Sequence, residues 1–348
     1  MNHLKPPQPV PTVENSIERI NSEKIRQVID SLDFDVLETI FKEIKDKSGG
    51  VSTIGRSMFV SKFIGKDDIR SALTGEEATS IAPTVLAITK QRLVNRPEQE
   101  FTTVEPFIEF NPLANVFTQQ DSSSKDQYPM FTYVLKALVH EEVHATQFQG
   151  NVDISRENGI HKYTGIVGVA ESVSSYNLEG DNIDMATEPE VNVLLNEGLV
   201  EKIADYVTEE YLRRTGETRL LNSFFRAYPA GRMLVELLIH KIATDTGVAK
   251  DAIFGALVRA SYEGVSLLNS DLTSQFSEDV RLFLEAYKRV SYQDEDYDQK
   301  QSQICQEFIE TISLEDLLDP SIKALLGEQK MLSESGKRFR DQSSSLLI

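Results

Sequence analysis

From Glu14 to Lys47 apolar residues recur at three- and four-residue spacing: Ile17, Ile20, Ile25, Val28, Ile29, Leu32, Val36, Leu37, Ile40, Phe41 and Ile44. That period marks amphipathic helix. Two helices are expected, because Asp33 offers an N-cap carboxylate and Gly49-Gly50 a stop. This helical segment, 15–50, either packs on the domain that follows or forms a small lobe in front of it. Residues 1–14 carry four prolines and are expected to be disordered or extended. Between Val51 and Phe110 the pattern becomes strand-like, with candidates at Ser57–Phe63, Thr84–Ile88 and Phe107–Phe110, while Ala78–Ile88 also admits helix. Asn111-Pro112 ends the last strand, and Gln119–Asp126 reads as a polar loop.

Pro129 opens a helix with two unlike faces. Ala137, His140, Glu141, His144 and Phe148 cluster on one side, whereas Phe131, Val134, Leu135, Leu138 and Ala145 point the other way. Glu142 falls on the apolar side and is expected to find a basic or backbone partner. Residues 153–178 read as a β-hairpin turning at Glu157-Asn158-Gly159, with Tyr163–Val167 as strand, followed by a polar loop over Glu179–Thr187. Helix then resumes from Pro189 to Arg214, from Met233 to Ala243 with a stop at Gly247, and over 249–290. After Ser291 comes an acidic, Gln-rich stretch, Gln293–Gln303, then a short helix through Leu318 and a frayed Ser-rich end. No internal repeat is visible. The pattern predicts an α+β fold. A small sheet and the Pro129 helix form an N-terminal lobe, and a mainly helical C-terminal lobe completes a domain over 51–290. Residues 291–348 form an acidic, partly helical tail.

Composition narrows the function classes. With 36 basic against 55 acidic residues in 348, the chain carries a formal charge of −19. Such a balance disfavours a nucleic-acid or anionic-membrane surface, which needs a concentrated basic patch. The single cysteine, Cys305, allows no intrachain disulfide and fits a reducing compartment. The start, Met1-Asn2-His3-Leu4-Lys5-Pro6-Pro7, lacks an apolar signal region, and no run of about 18 apolar residues exists. A cytoplasmic protein is expected, with neither nucleic acid nor membrane as partner. Oligomeric state leaves no signal.

The candidate chemistry lies in His140-Glu141-Glu142-Val143-His144. Residues four apart on a helix stand one turn above each other, so His140 and His144 can each turn a ring nitrogen to one ion, with Glu141 beside them. Zinc suits two imidazoles, a third protein ligand and an open position. A third His six residues after His144, preceded by a Gly, would complete one known pattern, but Gln147 and Gly150 occupy those positions. A better third ligand is Glu197, in Leu195-Asn196-Glu197-Gly198-Leu199-Val200-Glu201, with Glu188, Glu190 and Asp205 as alternative carboxylates. Gly198 leaves room for this helix to approach the metal helix closely. Glu201, one turn on, can accept the second N–H of a ligating imidazole and orient it.

These motifs resemble the gluzincin branch of the zincin metallopeptidases, a group that includes thermolysin-like and aminopeptidase N-like enzymes. The resemblance covers about residues 105–245 and also rests on Tyr228-Pro229-Ala230-Gly231 before an apolar helix through Leu234 and Leu237. It implies a zincin-like fold, zinc held by His140, His144 and Glu197, and an oxyanion contact from the Tyr228 hydroxyl. Tyr163, Tyr206 and His240 are alternatives for that contact, and His161 is a further candidate to reach the cleft. It also implies that Phe107–Phe110 is the edge strand that holds substrate. The chain lacks the upstream Gly-rich exopeptidase motif of aminopeptidase N-like enzymes and has a shorter Glu-to-Tyr spacing.

Two neutral imidazoles and one carboxylate leave a zinc centre at net +1, which acidifies its bound water toward a pKa of about 7. Glu141 is then the general base that takes the proton and later delivers it to the leaving amine. The expected activity is hydrolysis of a peptide or protein substrate by a zinc-bound water. A catalytically inactive zincin-like module for binding or regulation is the alternative. A toxin or effector directed at one protein would use the same chemistry.

Overall fold

The computed structural model describes residues 13–48, 61–73, 85–94, 103–118, 129–157, 160–177, 184–187, 193–221 and 223–264. The expectations for residues 1–12, 49–60, 78–84, 119–126, 158–159, 178–183, 188–192 and everything after residue 264 fall outside these. The described residues form a mixed α and β structure, with helices on small sheets.

The N-terminal periodicity yields α1 (Val13–Ser31) and α2 (Phe34–Ser48). Asp33 caps the second, its Oδ1 accepting the Val36 N–H at 3.1 Å. The Asp33 N–H in turn donates to the Tyr211 hydroxyl at 2.9 Å, tying the α1–α2 corner to a helix far along the chain. Ile25, Ile29, Leu37 and Ile40 are fully buried in the same core as Leu135, Leu138, Leu199 and Ile203. The two helices therefore share the main core rather than standing in front of it.

The first sheet has three strands, β1 (Ile69–Arg70), β2 (Ala87–Val94) and β3 (Thr103–Phe110), in the order β1-β3-β2. β3 is parallel to β1 and antiparallel to β2. This corrects one expectation, because Phe107–Phe110 lies in the central strand and β2 holds the edge among the described residues. The reason is legible in burial: Ile108, Glu109 and Phe110 have no exposed surface, as a strand flanked on both sides requires. Residues 61–63, expected to finish a strand, belong to none of the described ones; Lys62 instead donates its backbone N–H to Ala145.

A short turn of helix, α3 (Asn115–Thr118), leads on to α4 (Met130–Thr146), which begins directly after Pro129. Pro129 has φ −57° and lacks an N–H, so it suits a helix start. Glu142, on the buried side, finds a backbone partner: its Oε2 accepts the Ile64 N–H at 2.9 Å. Burial pushes this carboxyl well above its usual range, and the Ile64 N–H only partly offsets that.

Next comes a four-stranded antiparallel meander, β4 (Gln149–Glu157), β5 (Ile160–Val167), β6 (Ala170–Asn177) and β7 (Asp184–Thr187). Residues 184–187, expected as loop, pair with Ser174–Asn177. Neighbouring strands satisfy each other's backbone groups, and that long-range pairing leaves little trace in a polar segment.

Three long helices follow: α5 (Val193–Arg214), α6 (Pro229–Thr246) and α7 (Lys250–Glu263). α7 ends where Gly264, at φ +68°, caps it with its N–H on the Ala260 carbonyl; the rest of the helical stretch expected over 249–290 lies outside the described residues. A β-carbon at Gly198 would lie 2.1 Å from the Gly231 carbonyl oxygen. Gly198 thus serves the close approach of α5 to α6, not to the metal helix as expected. Any side chain there would force the two helices apart. Among the described residues, no helix is long and apolar enough to cross a membrane.

Candidate metal centre

α4 and α5 cross with their polar turns facing. His140 and His144 project from α4, one turn apart, their rings 5.0 Å between centroids and inclined at 71°. Glu197 projects from the second turn of α5. Its Oε2 lies 3.3 Å from His140 Nε2 and 3.4 Å from His144 Nε2. One ligand atom from each of the three falls within 4.8 Å of the others, so this largely buried group could hold a metal ion.

The spacing is also that of ligands around one ion. Four ligands about 2.0–2.1 Å from a tetrahedral ion stand about 3.3–3.4 Å from one another. Glu197 Oε2 is buried and accepts no well-directed hydrogen bond, although a buried carboxylate oxygen ordinarily finds a donor. Three potential ligand atoms grouped this closely fit a cation.

Local contacts hold the turn that carries Glu197 and the ring of His140. Asn196 Oδ1 accepts the Val169 N–H at 3.1 Å and the Gln147 amide at 3.4 Å, pinning the start of α5 to the β5–β6 turn and to the end of α4. Gly168, in that turn at φ +61°, leaves the space these amides fill. Glu201, one turn after Glu197, sets the tautomer of His140, with Oε2 3.0 Å from Nδ1. That frees Nε2 for the ion. The other Glu201 oxygen, Oε1, accepts the Ala227 N–H at 2.7 Å and faces Lys136 Nζ at 3.1 Å.

Charge follows from this packing. Burial would lower the pKa of His140, but the adjoining Glu197 and Glu201 carboxylates push it up to about 10. Burial opposes ionisation of Glu197 too, yet His144 and His140 hold it far below the usual carboxylate range. Glu201, likewise opposed by burial, is held down to about 2 by Lys136 and then His140. In the metal-free protein a proton on His140 thus does the neutralising that a cation would do.

The folded pKa of His140 exceeds its unfolded value of about 6.5. Its stabilisation is therefore complete below about pH 6.5 and is lost as pH rises through about 10. A metal ion needs the neutral ring, so near pH 7.5 binding should release about one proton, with apparent affinity rising about tenfold per pH unit. Titration calorimetry in buffers of differing ionisation enthalpy measures this. Zero protons released would contradict the protonated His140.

Glu141 is half-buried at the cleft, and its Oε2 accepts the Thr89 hydroxyl of β2 at 2.8 Å. Tyr228 stands at the mouth, 38% exposed, its ring stacked on His140 at 5.4 Å and 13°. It adopts φ +45° as the residue before α6. For a bulky side chain that left-handed conformation costs on the order of 1–3 kcal/mol, and such strain is concentrated at functional positions. Of the alternatives, Asp205 is committed to Lys136, Arg226 and Arg232 at 2.7, 3.6 and 3.3 Å. Tyr206 is exposed, and neither it nor His240 lines the cleft cavities. The side chains of Tyr163 and His161 lie outside the described residues.

Beside Glu141 a cavity of about 420 Å³ runs between Val85, Leu86, Val116, Tyr133, Ala137 and Phe225. Tyr133 and Phe225 stack at 5.2 Å along its wall. A second recess lies over Glu197 and His144, bordered by Ala87, Thr89 and Gln91 of the β2 edge. Sequence reasoning missed Thr89, which carries no local signal, and Lys136, which does: a lone ammonium in the apolar run Val134 to Val139. Comparison with protein-family models, with curated proteins and with solved structures finds no match to this chain.

Proposed function

We propose that this chain is a zinc-dependent metallopeptidase of the zincin type, with Glu141 as general base. The observation that carries the reading is the convergence of His140, His144 and Glu197 on one point, with Glu141 lining the cleft beside them. Two imidazoles and a carboxylate suit zinc, and three protein ligands leave a position open, as catalytic rather than structural zinc sites do. Bound zinc would supply an acidified water and a polarised substrate carbonyl.

The chain's own residues do the rest. Glu141 would take a proton from a water in the cleft and return it to the leaving amine. The Thr89 hydroxyl holds that carboxylate from behind. Tyr228 can donate its phenolic proton to a developing oxyanion, a kind of contact worth about 2.7–4 kcal/mol. An extended peptide lying along β2, an outer strand of its sheet among the described residues, would bring its scissile bond beside Glu141. The cavity walled by Tyr133 and Phe225 would take an apolar side chain of that peptide.

A degenerate peptide library tests the reading. Cleavage is expected, with loss of activity on chelation and recovery when zinc is restored. Stoichiometric zinc with no peptide cleaved would favour a zincin-shaped binding module instead.

A further inference from the structure

Lys136 has no exposed surface. It lies on α4 one turn before His140, on the side that meets α5 one turn beyond Glu197. Its Nζ reaches three α5 groups: Glu201 Oε1 at 3.1 Å, the Glu201 carbonyl oxygen at 3.3 Å and Asp205 Oδ1 at 2.7 Å. A fully buried ammonium is rare unless paired, and here every named contact crosses from the metal helix to the helix that brings Glu197.

We propose that Lys136 is a positioning residue of the metal centre, locking the Glu201 carboxylate so that His140 and the Tyr228 turn are held together. Glu201 is the shared joint. One oxygen meets His140 Nδ1 and the other receives Lys136 and the Ala227 N–H. A carboxylate gripped from the Lys136 side cannot swing away from His140, so the imidazole keeps its angle to the ion. The same grip fixes Ala227, and with it the left-handed backbone of Tyr228 against the His140 ring. Lys136 also ties the turn before His140 to the turn after Glu197, setting the register in which the three ligands converge. Asp205, its second partner, continues the ladder to Arg226 and Arg232, on either side of Tyr228.

This inference rests on the metal site and not on peptidase activity. Its test is metal affinity, with zinc and cobalt as probes competed against a chromophoric chelator, on Lys136→Met, Glu201→Gln and the double variant. Each single change should weaken binding about 10–100-fold. The double should be no weaker than the weaker single, because both act through one contact. The visible spectrum of the cobalt protein should also change in Lys136→Met, as the His140 angle relaxes. Native affinity in Lys136→Met, or costs that simply add in the double variant, would overturn the proposal. Should Lys136→Met not fold, the double variant removes the cation together with its counter-carboxylate and is expected to fold, binding metal as Glu201→Gln does. Weaker binding than Glu201→Gln, or failure of both to fold, would make Lys136 a core residue of the fold and defeat the proposal. An unaltered protein that bound no metal would defeat the metal site itself, whereas absent peptidase activity would leave this comparison intact.

Discussion

Replacing Glu141 with Gln is expected to leave the metal bound and to lower peptide turnover by about 10²–10⁴-fold, the usual worth of a positioned general base. Each factor of ten is about 1.4 kcal/mol, so the barrier should rise by roughly 3–5 kcal/mol. The substitution is clean in this setting. Glutamine keeps the shape of glutamate and an oxygen that can accept the Thr89 hydroxyl, which the native carboxylate takes at 2.8 Å. Glu141 is outside the three-residue cluster, so metal content should not fall. Turnover on a cleaved peptide and metal per chain are the two measurements. Turnover within a few-fold of native would remove Glu141 from the chemistry.

Replacing Glu197 with Ala should strip the centre. A four-ligand structural zinc site contributes about 10–16 kcal/mol, or roughly 3 kcal/mol for each ligand if shared evenly. Loss of one ligand then weakens binding by about a hundredfold or more. Two other carboxylates of the adjoining turns of α5 are already engaged. Glu201 is taken up by His140, Lys136 and the Ala227 N–H, and Asp205 by Lys136 and two arginines. Dialysis against a weak chelator followed by metal analysis should find the native protein loaded and Glu197→Ala empty. Equal retention would place the ion elsewhere.

Local chemistry was readable where the signal lies within one element. The 3.6-residue period announced α1, α2 and α4, and Asp33 announced its own cap, because each depends on neighbours in sequence. His140, His144, Glu197 and Glu201 could be named for the same reason: four-residue spacing puts each pair on one helical face. What required three dimensions was harder. The edge place of Phe107–Phe110 rested on family resemblance alone. β3 is instead flanked on both sides, and the more polar β2 lies beside Glu141. Gly198 was correctly read as a close approach, but its partner is Gly231, and no period in either helix tells which neighbour will arrive. The β7 pairing depends on a strand met only after a polar segment. Lys136 was passed over although a single charge in an apolar helix asks for a buried counter-charge, which Glu201 and Asp205 provide.

X-ray absorption at the zinc edge, on protein loaded with one equivalent of zinc, is the most direct test of whether two histidines and a glutamate converge on one ion. One zinc per chain is expected, with only nitrogen and oxygen neighbours at about 2.0–2.1 Å and the outer-shell scattering of two imidazoles. Sulfur in the inner shell, a single imidazole, or no stoichiometric zinc would contradict a site built from His140, His144 and Glu197.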